Sequence, residues 1–319
     1  MILIKNVALE PLGNETVLDC LLRNGMAPPH SCRSGLCQSC MLRSLNGRPP
    51  ANSQQGLKPS LKQQNYFLAC RCTPQHDMEI SYADTQLFRK SATIIDRTML
   101  TDSVLRLRIT RPNNFSYFAG QFTTIFKDRN LGRSYSLASV PHLDGFLEYH
   151  IKLIPGGKLS QWLLSETFQG TKLTISEALG DSVYIKDEQT RPILLVATGT
   201  GLSPVYGVLR DAISNSHRGE IRLYHGVTTQ KDLYLDSKLR KLEDQIQNFS
   251  YIPCVSSKPS NPEPRYGSAT EVATNDIGNF SGWRVYISGN PDMVKSAQRQ
   301  IFLAGASIKD IHVDPFVYS

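Results

Sequence analysis

No stretch of this chain approaches the roughly 18 consecutive apolar residues of a membrane-spanning helix. Its start, Met1-Ile2-Leu3-Ile4-Lys5, has no basic region leading into an apolar run and a small-residue cleavage site. That segment reads as a first β-strand, and the expectation is a soluble cytoplasmic protein with no membrane partner. Lys and Arg are scattered without a block, and no nucleic-acid-binding motif accompanies them. The formal net charge of +7 therefore reads as a mildly basic, solvated surface with no nucleic-acid partner. No internal repeat or low-complexity run stands out. Seven cysteines is an odd count, and without a secretory leader they argue against a disulfide framework.

What is present is a particular cysteine spacing. Cys32, Cys37 and Cys40 form C-x4-C-x2-C, and Cys70 follows after 29 intervening residues. That is the plant-type [2Fe–2S] ferredoxin pattern. A cluster needs four converging thiolates and backbone amides aimed at the sulfurs. Gly35 admits a backbone conformation that a Cβ would resist, and small Ser34 and Ser39 keep the loop close. Structural zinc would want two C-x2-C half-sites, and Cys70-Arg71-Cys72 is the wrong second half. Cys20, Cys72 and Cys254 read as small buried hydrophobes. Arg33, Arg43 and Arg71, beside cluster cysteines in sequence, read equally as a basic rim for an acidic redox partner or as ordinary surface arginines.

With 319 residues and 40% apolar content, the chain suits two or three domains with real cores. Residues 1–84 carry short strand patterns, a helix from Thr16 to Asn24 with Thr16 and Asp19 spaced as a capping box, the cysteine loop and a closing strand over Asp77–Tyr82. A linker is expected at 85–90. Residues 91–188 hold short strands such as Val104–Thr110, Gln121–Phe126 and Leu147–Ile154, which suggest an antiparallel barrel. In residues 189–319 the apolar run Pro192–Ala197 reads as a buried parallel strand. It precedes Thr198-Gly199-Thr200-Gly201 and alternating strands and helices, as in a doubly wound α/β sheet.

Two motifs in the barrel segment suit a flavin. Arg133-Ser134-Tyr135-Ser136 offers a cationic fork for a pyrophosphate, a flat ring and a short donor. Pro155-Gly156-Gly157-Lys158-Leu159-Ser160 is a glycine turn at a helix start, where free amides meet phosphate. The Thr198–Gly201 turn lies where dinucleotides bind in open α/β sheets, at the carboxyl end of a strand. Lys231 and Asp232, without an arginine at the end of the next strand, point to NADH rather than NADPH. Asp232 reads equally as the N-cap of a helix over Leu233–Lys241.

With these four motifs in order, the chain resembles the ferredoxin–NADP reductase superfamily, in the form with an N-terminal plant-type ferredoxin domain. The closest likeness is to NADH-dependent reductase components of bacterial Rieske-type ring-hydroxylating oxygenases. The resemblance covers nearly the whole chain and implies a β-grasp ferredoxin domain, an antiparallel β-barrel FAD domain and a doubly wound parallel-sheet NAD domain. It implies that Cys32, Cys37, Cys40 and Cys70 ligate the cluster. Arg133 contacts the flavin pyrophosphate, Tyr135 packs on its ring and Ser136 lies near N5. His150, Ile151 and Lys152 run beside the phosphate and ribitol, and Gly157 and Ser160 belong to the second phosphate turn. Gly199, Thr200 and Gly201 form the NAD pyrophosphate loop. Ser288 and Gly289 lie near the nicotinamide, where the family usually has Cys-Gly. Asp314, where Glu is frequent, and Phe316 lie near the flavin. The implied activity is hydride transfer from NADH to FAD and single-electron transfer through the [2Fe–2S] cluster to a ferredoxin or to the terminal oxygenase, by a monomer. A deoxysugar dehydratase or a diiron monooxygenase could use the same parts, and a redox sensor without turnover is the rival of a different class.

Overall fold

The computed structural model describes residues 1–26, 28–30, 32–36, 38–57, 59–82, 89–128, 131–186, 188–258 and 264–316. Three sheets organise them. The first contains β1 (Ile2–Ile4), β2 (Val7–Leu9), β3 (Met41–Ser44), β4 (Tyr66–Leu68) and β5 (Met78–Tyr82), in the order β2-β1-β5-β3-β4. β1 and β5 are parallel and the other neighbours antiparallel, which is the β-grasp arrangement. Helix α1 (Val17–Arg23) starts where the Thr16 hydroxyl accepts the Asp19 N–H, satisfying one of the donors that a helix start leaves unpaired. Val17, Leu18, Cys20 and Leu21 go into the core with the strands, and Cys72 joins them. The polar stretch before β4 contains a further short helix, α2 (Pro59–Gln63), that has no periodic signal in the sequence. The linker expected at 85–90 falls largely on residues 83–88, outside the described residues.

The second sheet joins β6 (Lys90–Thr101), β7 (Val104–Thr110), β8 (Phe122–Phe126), β9 (Gly132–Ser136), β10 (Phe146–Lys152) and β11 (Lys172–Ile175), in the order β10-β7-β6-β11-β8-β9. A bridge from Leu137, just past β9, to Tyr149 of β10 closes it into a barrel, so no long edge is left unpaired. Alternation along β7 turns Leu105, Leu107 and Ile109 into the barrel core. Helix α3 (Lys158–Ser165) adds Leu159 and Leu163 to that core.

The third sheet is all parallel: β12 (Ile193–Thr198), β13 (Ile221–Val227), β14 (Phe249–Val255), β15 (Arg265–Tyr266), β16 (Arg284–Gly289) and β17 (Ile311–Pro315), in the order β15-β14-β13-β12-β16-β17. Helices α4 (Leu202–Ser214) and α5 (Asp236–Gln245) share one core with one face, and α6 (Ala269–Ile277) and α7 (Pro291–Leu303) share another with the opposite face. This double coverage explains why β12 is apolar from Ile193 to Ala197. The chain order reverses between β12 and β16, so the loop after β12 sits at the switch point where such sheets bind ligands. Val104, Ala138 and Tyr184 of the barrel segment pack into the α4/α5 core, joining the two units by an apolar contact. Among the described residues no helix is long and apolar enough to cross a membrane.

One expectation about helix starts is overturned. Asp232 does not cap the helix after β13. That helix begins at Asp236, with Leu235 in the left-handed conformation at its N-cap. Asp232 instead closes a 3-10 turn over Gln230–Asp232, where its carboxylate accepts the Thr229 N–H and hydroxyl at 3.0 and 2.7 Å. The carboxylate is used within that turn, and Tyr234 is buried before the helix can begin.

Candidate functional site

The cysteine loop takes its shape from local backbone conformation. Arg33, Gly35 and Gln38 have φ of 51°, 87° and 53°, so successive amides turn inward. The Ser34 N–H points to the Cys32 sulfur at 3.4 Å. Cys40 and Cys70 lie in adjacent backbone, with the Ala69 N–H on the Cys40 carbonyl at 3.0 Å. Their thiols are hydrogen-bonded to each other; that contact, with the Gly35 N–H and nearby Arg71, draws the Cys70 thiol below its ordinary pKa despite burial and the nearby Cys32. A Cβ on Gly35 would lie 3.1 Å from Arg71 Cγ, so the loop tolerates little bulk there. Cys37 lies outside the described residues. Cys40 and Cys70 are paired, Cys32 acts on Cys70 from nearby, and amides are aimed at sulfur; that is the donor chemistry a [2Fe–2S] cluster takes, although among the described residues no three side chains are already set around a metal position.

The barrel and the parallel sheet enclose a cavity of about 540 Å³. Strand β9 contributes Arg133, Tyr135 and Ser136, and β10 contributes His150 and Lys152. The turn before α3 contributes Gly157, and the first turn of α3 contributes Ser160, whose hydroxyl accepts the Ile154 N–H and so shapes the turn. From the far side come Thr200, Asp314 and Phe316, and from the cysteine loop Cys32 and Leu36. Ile151 does not reach the cavity: alternation along β10 sends its side chain into the barrel core. Only its main chain can serve a ligand.

Charge is arranged unevenly around this cavity. Burial lowers the pKa of Arg133, a cation held in the wall. Asp314 faces the Ser136 hydroxyl, which donates to its carboxylate at 2.6 Å. Burial lifts that carboxyl to about 6, although the Ser136 hydrogen bond opposes the rise. In the same wall, burial pushes His150 below its ordinary pKa. Its Nε2 lies 3.1 Å from Glu148 Oε1, and since a carboxylate only accepts, Nε2 carries the proton and Nδ1 is left without a partner. Burial alone would raise Glu148, but His150 and Arg108 hold it down at about 2.

The nucleotide loop is adjacent. A Cβ on Gly201 would lie 2.2 Å from the Ser288 carbonyl oxygen and 2.7 Å from the Gly289 nitrogen. The loop after β12 and the end of β16 therefore touch backbone to backbone. Gly289 has φ 131°, and a Cβ on it would strike Thr198. The Ser288 hydroxyl donates to the Asp314 carbonyl at 3.0 Å, and the Phe316 N–H donates to the Gly289 carbonyl at 2.7 Å. Ser288 and Gly289 thus brace the C-terminal strand against the cavity. Gly199 and Asp232 lie on a second cleft of about 420 Å³, with Gly226, Gly267, Ser268 and Asn290. His225 fixes the loop from beneath, with Nε2 on the Gly199 carbonyl at 3.2 Å. Burial lowers its pKa to about 4. The two clefts share Lys152, so one extended nucleotide can pass from the first into the second.

Sequence reasoning missed several residues here. The Ser203 hydroxyl at the start of α4 donates to the Ser136 carbonyl at 2.8 Å, tying the nucleotide sheet to the barrel strand. Ser39, between two cluster cysteines, lies 3.3 Å from Thr124 Oγ1, which lies 3.1 Å from Ser134 Oγ. Leu36 reaches the flavin-type cavity. Ser39 and Leu36 carried a signal by lying inside the cysteine motif, and Ser134 by lying inside the Arg133–Ser136 motif; their contacts did not.

Cysteines beside a barrel cavity, itself open to a dinucleotide switch point, define an iron–sulfur flavoprotein oxidoreductase. Family comparison agrees in order along the chain: a 2Fe-2S iron-sulfur cluster binding domain over residues 4–75, an oxidoreductase FAD-binding domain over 91–184 and an oxidoreductase NAD-binding domain over 195–299. The ferredoxin–NAD(P)+ reductase component of the naphthalene 1,2-dioxygenase/salicylate 5-hydroxylase systems of Ralstonia sp. is 31% identical, over 98% of this chain and 96% of its own. That of the naphthalene 1,2-dioxygenase system of Pseudomonas putida is 32% identical, over 94% and 93%. Among solved structures, the Amycolatopsis cytochrome P450 reductase GcoB superposes with a TM-score of 0.71 at 26% identity, covering 99% of this chain and 98% of that one. The ferredoxin reductase in carbazole 1,9a-dioxygenase gives 0.68 at 25%, covering 99% and 97%. The chain belongs to this family of ferredoxin–NAD(P)+ reductase components, oxidoreductases built from [2Fe–2S], FAD and NAD-binding domains.

Proposed function

We propose that this chain is the NADH-dependent reductase of a multicomponent oxygenase that hydroxylates aromatic rings, delivering electrons to a ferredoxin or to the oxygenase itself. One observation carries the reading: Cys32 and Leu36 of the cysteine loop, Ser136 and Arg133 of the barrel, and Thr200 and Asp314 of the nucleotide domain all line a single cavity. Groups held there need no large domain movement to exchange electrons. The oxygenase assignment is supported by the relatives, named as reductase components of naphthalene and terephthalate dioxygenase systems.

When bound, FAD supplies the conversion of a hydride into single electrons, and the cluster carries them one at a time. The chain's own residues orient and tune. Arg133 meets a pyrophosphate with a fixed cationic fork, and the turn at Gly157 and Ser160 offers amides to the same group. Tyr135 gives the ring a face. Ser136 holds a hydrogen bond near the reacting edge, its hydroxyl set by Asp314. Gly199, Thr200 and Gly201 would hold the nucleotide pyrophosphate, and Ser288 and Gly289, whose backbone meets Gly201, would orient the nicotinamide. Phe316 lines the same cavity and would cover the ring. Cys32, Cys37, Cys40 and Cys70 hold the cluster. NADH is selected because the cleft around Asp232 presents a carboxylate held ionised by the Thr229 hydroxyl and N–H, despite its partial burial. A 2′-phosphate beside it would be repelled. The functional unit is a monomer.

The test is an anaerobic titration of the purified holoprotein with NADH and, separately, NADPH, followed by visible absorbance and low-temperature EPR. NADH at low equivalents is expected to bleach the flavin and to produce a reduced [2Fe–2S] signal, with NADPH much slower. Flavin bleaching without a cluster signal, or no response to either nucleotide, overturns the reading.

A further inference from the structure

The net charge of the chain is concentrated in one stretch. Between Asp19 and Asp77 there is no aspartate or glutamate, while Arg23, Arg33, Arg43, Arg48, Lys58, Lys62 and Arg71 all fall there. Those seven account for the whole net charge of +7, since the other 28 Lys and Arg are matched by 28 Asp and Glu. Lys and Arg are scattered here as elsewhere; what sets the stretch apart is that Asp and Glu are missing from it. All four cluster cysteines lie inside this acid-free stretch.

The structure gives the stretch a direction. The cysteine loop has two sides. Cys32 and Leu36 face the flavin-type cavity, while Arg33, Ser34 and Arg71 are exposed. Arg71 immediately follows Cys70, and its side chain packs against Gly35, which holds its charge over the loop. Arg33 reaches Asp19 at 3.2 Å, with both side chains about half exposed. Such a pair contributes little in water and can open toward a partner. Arg43 is also exposed, its guanidinium near the Tyr66 ring.

Resting on the proposed reductase function, we propose that electrons leave through this Arg33–Arg71 face and that the acceptor is an acidic electron-carrying protein docking there. Electrons arrive on the cavity side of the loop and depart on the arginine side, a few residues away. A rim of one sign steers a partner of the other and sets its orientation. An acidic partner gains on this face what it cannot gain on the rest of the molecule, where charges balance.

The test uses the oxidised holoprotein and two probes of opposite charge, the acidic soluble domain of ferricytochrome b5 and basic ferricytochrome c, with binding read by calorimetry. Cytochrome b5 is expected to bind at low salt and to weaken roughly tenfold on raising NaCl from about 20 to about 200 mM. Cytochrome c is expected not to bind. Arg33→Glu with Arg71→Glu is expected to weaken cytochrome b5 by at least tenfold, and Arg33→Gln with Arg71→Gln by an intermediate factor, in protein whose visible spectrum shows that the cluster is retained. Salt-independent binding of cytochrome b5, preference for cytochrome c, or no response to the charge-reversed pair overturns the proposal. Binding needs no turnover, so failure of NADH to reduce the cofactors would sink the reductase function while leaving this result readable.

Discussion

Asp314 and Gly201 concentrate the chemistry at the residue scale. Asp314 has a carboxyl lifted to about 6 by burial, so at pH 7 it is mostly ionised beside the Ser136 hydroxyl. A negative charge at the cavity wall opposes electrons placed on the ring that Ser136 is proposed to meet. Asp314→Asn is therefore expected to raise the midpoint potential of the bound flavin at pH 7.5, by about 30 mV for a two-electron couple, the equivalent of about 1.4 kcal/mol. The difference is expected to shrink below pH 6, where the native carboxyl takes up its proton, and spectroelectrochemistry across pH 5.5–8 reads both features. A variant whose potential tracks the native one at every pH would remove Asp314 from the flavin. Gly201 is constrained by space instead. A Cβ there would stand 2.2 Å from the Ser288 carbonyl, which backbone cannot yield cheaply. Gly201→Ala is expected to cost about 1–3 kcal/mol of stability and to raise the KM for NADH more than it lowers kcat. Thermal unfolding and steady-state kinetics check the two effects. The glycine itself was legible in the sequence, in the turn after an apolar strand. Its reason was not, because the oxygen it makes room for comes from Ser288, far along the chain.

Among the elements, those with strong local patterns were legible and those joined at a distance were not. Strand β12 announced itself because a strand covered on both faces must be apolar at every position. The cysteine spacing was legible because metal geometry demands it. Strand β7 was read at its observed ends, Val104–Thr110, from alternation alone. Helix α5 was shifted, because Asp232 has the chemistry of a cap but the turn it closes is a different one. Contacts between units carry no local mark at all: Ser136 and Asp314 are separated by 178 positions, and Ser39 and Thr124 by 85. That second contact makes a prediction. The Ser39–Thr124–Ser134 hydroxyls form a chain, buried at its Ser39 end, from the cysteine loop to the strand carrying Arg133 and Tyr135. Thr124→Val keeps the shape and removes the hydroxyl, leaving buried Ser39 short of a hydrogen bond at about 1–3 kcal/mol, while Ser134 is partly exposed. Flavin bleaching by NADH is expected to keep its rate, while the cluster EPR signal in freeze-quenched samples appears several-fold later. Equal slowing of both would mean that the barrel, and not the docking of the loop, had been damaged.

For the whole molecule, the buried histidines set how it meets acid. Burial lowers the pKa of His150, His217, His225 and His312, with His225 at about 4. An unfolded chain protonates its histidines near pH 6.5, whereas the folded chain cannot until the pH is lower. Each such group therefore contributes stability that is present above pH 6.5 and is lost as pH falls toward the folded value. Asp314 acts in the opposite direction. Its raised carboxyl binds a proton more readily when folded, so its contribution improves as pH falls through 6. Asp211 shifts the same way, through burial. Four histidines against two aspartates leave a net loss on acidification. For His225 alone the loss at pH 5.5 is about 1.4 kcal/mol, one pH unit below the unfolded value. This matters for the proposed function because His225 holds the Gly199 carbonyl, so its protonation acts on the loop proposed to grip the nucleotide. His225→Gln can still donate to that carbonyl but does not titrate. It is expected to flatten the decline in unfolding free energy between pH 7.5 and 5.5 by about that amount, read by urea unfolding at each pH. It is also expected to remove part of the rise in the KM for NADH over the same range. A variant as acid-sensitive as the native protein in both measurements would move the origin of the decline to His150, which stands across the Tyr234 ring from His225.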